Sequence, residues 1–188
     1  MSDRVPRLDF DQLEPKLAET LRPRVERLRY LGEFFKVTGH SPDVLRHFME
    51  MTEALKEALP DRLTEVGALT VAGHLANDYE RHQHERLSER LGFGREWIAA
   101  VNRLEPDGVS ELSETERQAQ RLALALLDYD WDAARPLFDA LVADVGPAQA
   151  TAYLMLIGRY MTHAVVVKTF DLAPPVPSIF ASEAKASS

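Results

Sequence analysis

Apolar residues recur along this chain at helical spacing, and almost nowhere with the period of two that marks a half-buried strand. Residues 11–22 predict a short first helix ahead of Pro23, and Leu28, Leu31, Phe35 and Thr38 then fall on one stripe ending at Gly39. Ser41 as cap and Pro42 at the first helical position open the next helix, whose stripe runs Val44, Phe48, Met51, Leu55 and Leu59 up to Pro60. A helix from Asp61 through Ala76 is apolar around most of its circumference. It is also rich in small residues (Gly67, Ala68, Ala72, Gly73, Ala76), which predicts a central, closely packed element. Residues 78–91 form another helix, stopped at Gly92, where the left-handed conformation comes free. "GREWIAAV" makes a short helix and "EPDGVS" a loop, and Ser113 with Glu116 forms a capping box for a helix over 114–128. Helices over 132–145 and 147–169 follow, divided by Gly146-Pro147, with Pro136 in or just before the first turn of the former. From Asp171 the chain is proline-rich, then small and polar, which predicts an extended tail frayed at its end. The expectation is an all-α protein with one domain over residues 24–170, between an N-terminal segment (1–23) and the tail (171–188).

Composition narrows the function classes. A length of 188 residues suits one domain with a real core. The formal charge of −8 weighs against a nucleic-acid or anionic-membrane surface, although one local arginine can still hold a small anion. There is no cysteine, so disulfides, thiolate metal sites and thiol-based redox steps are excluded. The opening "MSDRVPRLDFDQLEP" is charged and lacks an apolar stretch, so no secretory signal is expected. The greasiest segment, "ATAYLMLIGRYMTHAVVVKTF", is interrupted by Arg159, His163 and Lys168 and reads as a buried helix, not a membrane span. A cytoplasmic protein with neither nucleic acid nor membrane as partner is the expectation.

Chemistry concentrates in "NDYERHQHE", residues 77–85, directly after the apolar run "VGALTVAGHLA". Glu65 lies one turn into the central helix, on the face of Leu69, Ala72 and Ala76, where burial raises a carboxyl pKa unless a partner compensates. Glu80 and His84 are four apart and therefore neighbours on the following helix. A carboxylate beside an imidazole orients the ring and raises its pKa, as a general acid–base pair near neutral pH requires. The plainer reading makes Asn77 an N-cap and Glu80 its capping-box partner, with Glu80 and His84 a mere helix-stabilising pair. His82 points elsewhere and reads as solvated. His74 is half a turn round the helix from Glu65 and reads as a satisfied core or interface histidine. His163 either approaches the site or simply packs. The His82–His84 spacing splays two rings across a helix and the zinc-helix signature is missing, so no metal is expected.

Glu65, Asn77 twelve residues on, Tyr79-Glu80, His84 and "LGFGREWIAAV" together resemble the carboxymuconolactone decarboxylase / AhpD-like superfamily over most of residues 24–170. The resemblance implies an all-helical bundle assembled as a trimer or hexamer. In the hydroperoxidase branch a Cys-x-x-Cys pair followed by histidine performs the redox step, relayed by an upstream glutamate. Carried over, the cysteine positions are Asn77 and Glu80, while Glu65 and His84 match the glutamate and the histidine. The thiol chemistry cannot run here. The decarboxylase branch lacks the cysteines and carries a glutamate and a histidine at these places. The resemblance thus implies cofactor-independent, lyase-type proton transfer on a small carboxylate or lactone. His84, held by Glu80, would be the general acid; Glu65 would relay or hold the proton; Tyr79 and Asn77 would contact the ligand. Arg81 offers a charge for a substrate carboxylate but by helical position points away. Two other readings stand: isomerisation or hydrolysis of a lactone by the same pair, and a binding or assembly protein that keeps the fold without catalysis. Convergence of Glu65, Glu80 and His84 on one pocket separates enzyme from binder. The small-residue helix 66–76 and the apolar stretch 152–167 offer more greasy surface than one protomer covers, so a homo-oligomer is expected.

Overall fold

Ten consecutive residues, Leu63 to Ala72, are buried on one helix, Asp61–His74, and the architecture is arranged to cover that helix on every side. The computed structural model describes residues 5–181, among which there is no strand. A 3-10 turn (Phe10–Gln12) precedes α1 (Pro15–Leu28), α2 (Glu33–Thr38), α3 (Pro42–Ala58), α4 (Asp61–His74), α5 (Asp78–Arg90), α6 (Arg95–Asn102), α7 (Glu114–Leu127) and α8 (Trp131–Phe170). α4 packs against α5, α6, α7 and α8. Its small residues permit this: a Cβ on Gly67 would lie 2.8 Å from Leu156 Cδ2 and 3.1 Å from Tyr153 Cε2, both on α8.

The main core joins Leu63, Val66 and Leu69 of α4 to Ile98, Leu122, Leu141 and Leu156. A second core gathers Leu17, Leu21, Phe34, Val37 and Leu45 around Tyr79 and Val167. Helix ends follow the chemistry of their caps. Ser113 Oγ accepts the Glu116 N–H at 3.2 Å, and the Glu116 carboxylate accepts the Ser113 N–H at 2.6 Å. Gly146 (φ 83°, ψ 163°) breaks α8 into arms over 131–145 and 147–170, as the Gly-Pro pair predicts. By length and composition α8 could cross a membrane. In this fold its second arm instead buries Tyr153, Leu156, Ile157, Tyr160, His163 and Val167, leaving Met155 and Val165 exposed.

Several expectations need correction. α1 runs through Pro23 to Leu28, so the boundary expected after residue 23 falls inside a helix whose Leu17 and Leu21 belong to the second core. At Arg29 (φ 66°) the chain turns left-handed and restarts at Gly32, which splits the single stripe expected from Leu28 to Thr38. In α3 the inward residue is Leu45, 2% exposed, while Val44 is 71% exposed. The described part of the tail does not hang free. Leu172 and Ile179 are buried, and the Val176, Pro177 and Ile179 carbonyls accept hydrogen bonds from His82, Arg86 and Arg95. The buried Glu85 carboxylate anchors it further, accepting Ser178 Oγ–H at 2.6 Å and the Ile179 N–H at 3.2 Å. The fraying expected at the very end lies outside the described residues.

Gly146 gives a direct test. Its φ/ψ is open in practice only to glycine, and a Cβ there would meet nothing within 4 Å, so alanine adds backbone strain without a clash. Gly146→Ala is expected to cost about 1–3 kcal/mol. Thermal unfolding should show this as a Tm several degrees lower; an unchanged Tm would mean that the bend between the arms relaxes freely.

Candidate functional site

The turn from α4 into α5 sets the geometry. The Asn77 N–H donates to the Ala72 carbonyl at 2.7 Å, Ala76 adopts φ 48°, and Asn77 Oδ1 accepts the Glu80 N–H at 3.4 Å. Asn77 is therefore the N-cap expected, but only half of the box forms, because the Glu80 carboxylate does not return to the Asn77 N–H. That carboxylate is free for other partners. The turn sends α5 back along α4, so His84 and Ser88, one helical turn apart, both reach Glu65.

From there a chain of contacts runs outward. Glu65 Oε2 lies 2.8 Å from His84 Nδ1 and accepts Ser88 Oγ–H at 3.0 Å. His84 Nε2 faces Tyr160 Oη at 3.1 Å and Glu80 Oε2 at 3.3 Å. Glu80 Oε1 is 2.9 Å from His163 Nε2 and 3.5 Å from the Arg159 guanidinium. Asn77 Nδ2 approaches His163 Nδ1 at 3.4 Å, and Phe34 stacks on the same imidazole with centroids 4.1 Å apart. Because Asn77 Oδ1 is used at the cap, its amide N–H faces His163. With Nδ1 accepting, His163 presents its Nε2–H to Glu80. Glu65, Glu80, His84 and His163 are all buried.

Their electrostatics follow from proximity. Burial alone would depress the His84 pKa, but the Glu65 carboxylate and then Glu80 outweigh it and lift it to about 9. Burial pushes the Glu80 carboxyl up, yet the hydrogen bonds of His163 and His84, and their charge when protonated, hold it well below the usual carboxylate range. Burial raises Tyr79 to about 12, so its hydroxyl is a neutral group that accepts the Phe34 N–H at 3.4 Å.

Glu80 and His163 form one wall of a cavity also lined by Tyr79, Gln83, Arg159 and an aromatic side of Phe34, Phe35 and Phe48. About 40 Å³ of it is open to the centre of a water-sized sphere, enough for a few waters. Of the residues expected from sequence, Glu80 and Tyr79 meet the cavity. Glu65 and His84 stand behind Glu80, and Asn77 behind His163, so the expected convergence of Glu65, Glu80 and His84 on one pocket is corrected: the three contact one another, and only Glu80 opens on the cavity. His163 and Arg159 reach the cavity from α8, 83 and 79 residues beyond Glu80, a separation that leaves no local signal in the sequence. Arg81 pairs with Asp78 at 2.7 Å, away from the site. His82, expected in solvent, is half-buried and held by the tail. His74 sits 3.3 Å from Asp128 at the surface. Among the described residues no three histidine, aspartate or glutamate side chains are grouped to hold a metal ion; the four of the site form a chain, not a cage.

No protein-family model matches the sequence, and no curated protein matches it either. Solved structures do match. A peroxidase-related protein from Ralstonia eutropha JMP134, with an alkylhydroperoxidase AhpD core, superposes with TM-score 0.77 at 14% identity over 91% of each chain. The fold is AhpD-like. The debrominase Bmp8, in complex with 2,3,4-tribromopyrrole, has TM-score 0.76 at 18% identity over 92% of each chain. A putative antioxidant defence protein AhpD from Agrobacterium tumefaciens has TM-score 0.67 at 18% identity, over 74% of this chain and 96% of its own. At such identities the AhpD-like likeness fixes the helical arrangement and leaves the chemistry to the residues present.

The site makes a pH prediction with a defined sign. His84 is raised from 6.5 to about 9, so its contribution to stability is complete below about pH 6.5 and is lost as pH rises through 9. Glu80 is lowered below 4.5, so its contribution is complete above pH 4.5 and is lost as pH falls through its folded value. The Tm gap between the wild type and His84→Gln should therefore narrow steadily from about pH 6.5 to pH 10. A gap that stays constant over that range would rule out a protonated His84.

Proposed function

We propose that this protein is a cofactor-independent acid–base enzyme of the lyase type, acting on a small carboxylic acid or lactone. One observation carries the reading: Glu65, His84, Glu80 and His163 form an unbroken buried chain whose outer end, Glu80 with His163, is a wall of the cavity. A capping role does not account for it, because the Glu80 side chain takes no part in the cap. Neither does a pairing of Glu65 with an arginine, since its partners are His84 and Ser88.

Loss of CO₂ from such an acid leaves the bonding electron pair on the substrate as an enolate or dienolate. That carbon then takes up one proton, so carboxylate plus H⁺ yields R–H plus CO₂. The Glu80–His163 edge is the part of the chain that can reach a bound molecule. His84, protonated near neutral pH, is the reservoir that refills it through the 3.3 Å contact with Glu80. Glu65 keeps that reservoir charged, and Asn77 fixes the His163 tautomer. The neighbours' names speak of peroxidase-related and debrominating proteins; a thiol step is closed to this chain, which has no cysteine. Isomerisation or hydrolysis of a lactone would use the same groups, and CO₂ release distinguishes them.

The test is a panel of muconolactone-type and β-keto acids followed by ultraviolet absorbance and CO₂ release. Glu80→Gln, His84→Ala and His163→Ala are each expected to lower kcat by about 10²–10⁴-fold. Turnover indifferent to all three, or none with any acid or lactone of the panel, would leave a binding protein. Dithiol-dependent hydroperoxide turnover is expected to be absent.

We also propose that the protomer self-associates, as the resemblance implies. The supporting feature is an apolar groove between α3 and α8, lined by Met51, Ala54, Leu55, Ala58, Ala152 and Met155, the last 51% exposed. Light scattering should give a trimer or hexamer of the 21.2 kDa chain, and Met155→Arg should shift it toward monomer. A monomeric wild type would refute this.

A further inference from the structure

Two arginines on the cavity are left with hydrogen-bonding capacity that the protein does not use. Arg159 comes from α8. Its Nε–H donates to Thr52 Oγ1 at 3.0 Å, while its Nη1, buried, has no hydrogen-bond partner and stands 3.5 Å from Glu80 Oε1. Glu80 is meanwhile shared with His84 and His163, so it compensates Arg159 only in part. Arg24 comes from α1. Its Nε is likewise buried without a partner, and no carboxylate lies within ion-pair distance of it among the described residues. Its guanidinium sits 5.0 Å over the Phe35 ring, and that of Arg159 sits 4.8 Å over Phe48 and 4.3 Å over Tyr160. The aromatic faces hold both planes in place, which lowers the ordering cost of binding. The other acid on the cavity, Glu53, is 62% exposed and engaged by Lys56 at 3.1 Å. In a protein of net charge −8, two arginines thus face one cavity with donors left over.

We propose that Arg159 and Arg24 form a carboxylate-binding clamp whose ligand is a carboxylate borne on a flat or cyclic apolar body, the body lying against Phe34, Phe35 and Phe48. A buried guanidinium N–H without an acceptor carries a desolvation cost, and a carboxylate supplies acceptors in the fork geometry that suits arginine. A neutral amide of the same shape supplies one acceptor and no charge. The inference rests on the reading of this cavity as the substrate site, and it assigns recognition to residues outside the proton-carrying chain.

Binding of unreactive probes tests it without reference to turnover. Benzoate against benzamide, and the smaller pair acetate against acetamide, are titrated into the full chain by calorimetry and by ligand-observed NMR. At least one acid is expected to bind about 10–100-fold more tightly than its amide, the range of a charged hydrogen bond. Arg159→Lys, which keeps the charge but loses the fork, should remove most of that preference. Arg24→Gln, on the half-buried rim, should weaken the acid several-fold and leave the amide unchanged. Equal binding of acid and amide, no binding of either acid, or a preference that survives both arginine substitutions would overturn the clamp, even if the enzyme proves active. Conversely, a clear preference in a protein with no turnover would uphold the clamp and defeat the catalytic reading.

Discussion

The 2.8 Å contact between His84 Nδ1 and Glu65 Oε2 is the constraint from which the rest of the site follows. Glu65 stands on the most deeply covered helix of the molecule, where an isolated carboxylate would cost several kcal/mol or would take up a proton. An imidazole in direct contact removes that cost, and Ser88 takes a further lone pair. Both come from α5, so the pair also fixes how α5 lies along α4 and demands the tight left-handed step at Ala76. Once that alignment is set, Glu80, one turn before His84, must point into the same interior.

Glu80 repeats the problem one step nearer the surface and meets it differently. Its two oxygens are approached by two imidazoles and a guanidinium, drawn from α5 and α8. Acids and imidazoles alternate along the chain, each group satisfying the next. Buried ion pairs of this kind are often no more stabilising than apolar side chains of the same size. A network of two acids, two imidazoles and an arginine is therefore poorly explained by stability alone. What the arrangement does provide is an unbroken set of titratable groups in contacts of about 3 Å, ending at a cavity.

How much of this was legible beforehand depended on sequence distance. Element ends with local chemistry read well: the Ser113–Glu116 box, the Asn77 cap and the Gly146-Pro147 break all stand where spacing placed them. The contacts among Glu65, Glu80 and His84 were within reach of the sequence, because the three lie on two consecutive helices whose join is short. Val44 and Leu45 are adjacent apolar residues that suit a helical stripe almost equally, and only packing against α1 and α2 selects Leu45. Arg29 has a left-handed backbone with no glycine to announce it. His163 is 86 residues from the Asn77 amide that orients it, and the tail meets the Glu85 carboxylate 93 residues away through Ser178. Such contacts leave no periodic trace in the chain.

The residues at 77 and 80 explain why the AhpD-like arrangement survives here without thiols. In the hydroperoxidase branch of the superfamily that the sequence resembles, these two positions would carry the cysteine pair; the chain resembles the cysteine-less, decarboxylase-type pattern. Here Asn77 closes the N-terminus of α5 with one end of its amide and orients His163 with the other. Glu80 accepts from both imidazoles and faces Arg159. A protonated thiol has neither the acceptor sites nor the charge to bridge two imidazoles and a guanidinium in this way; a carboxylate has about four lone-pair directions and a full negative charge. The two positions therefore hold an amide and a carboxylate that tie α5 to α8, with Glu65 and His84 directly behind them.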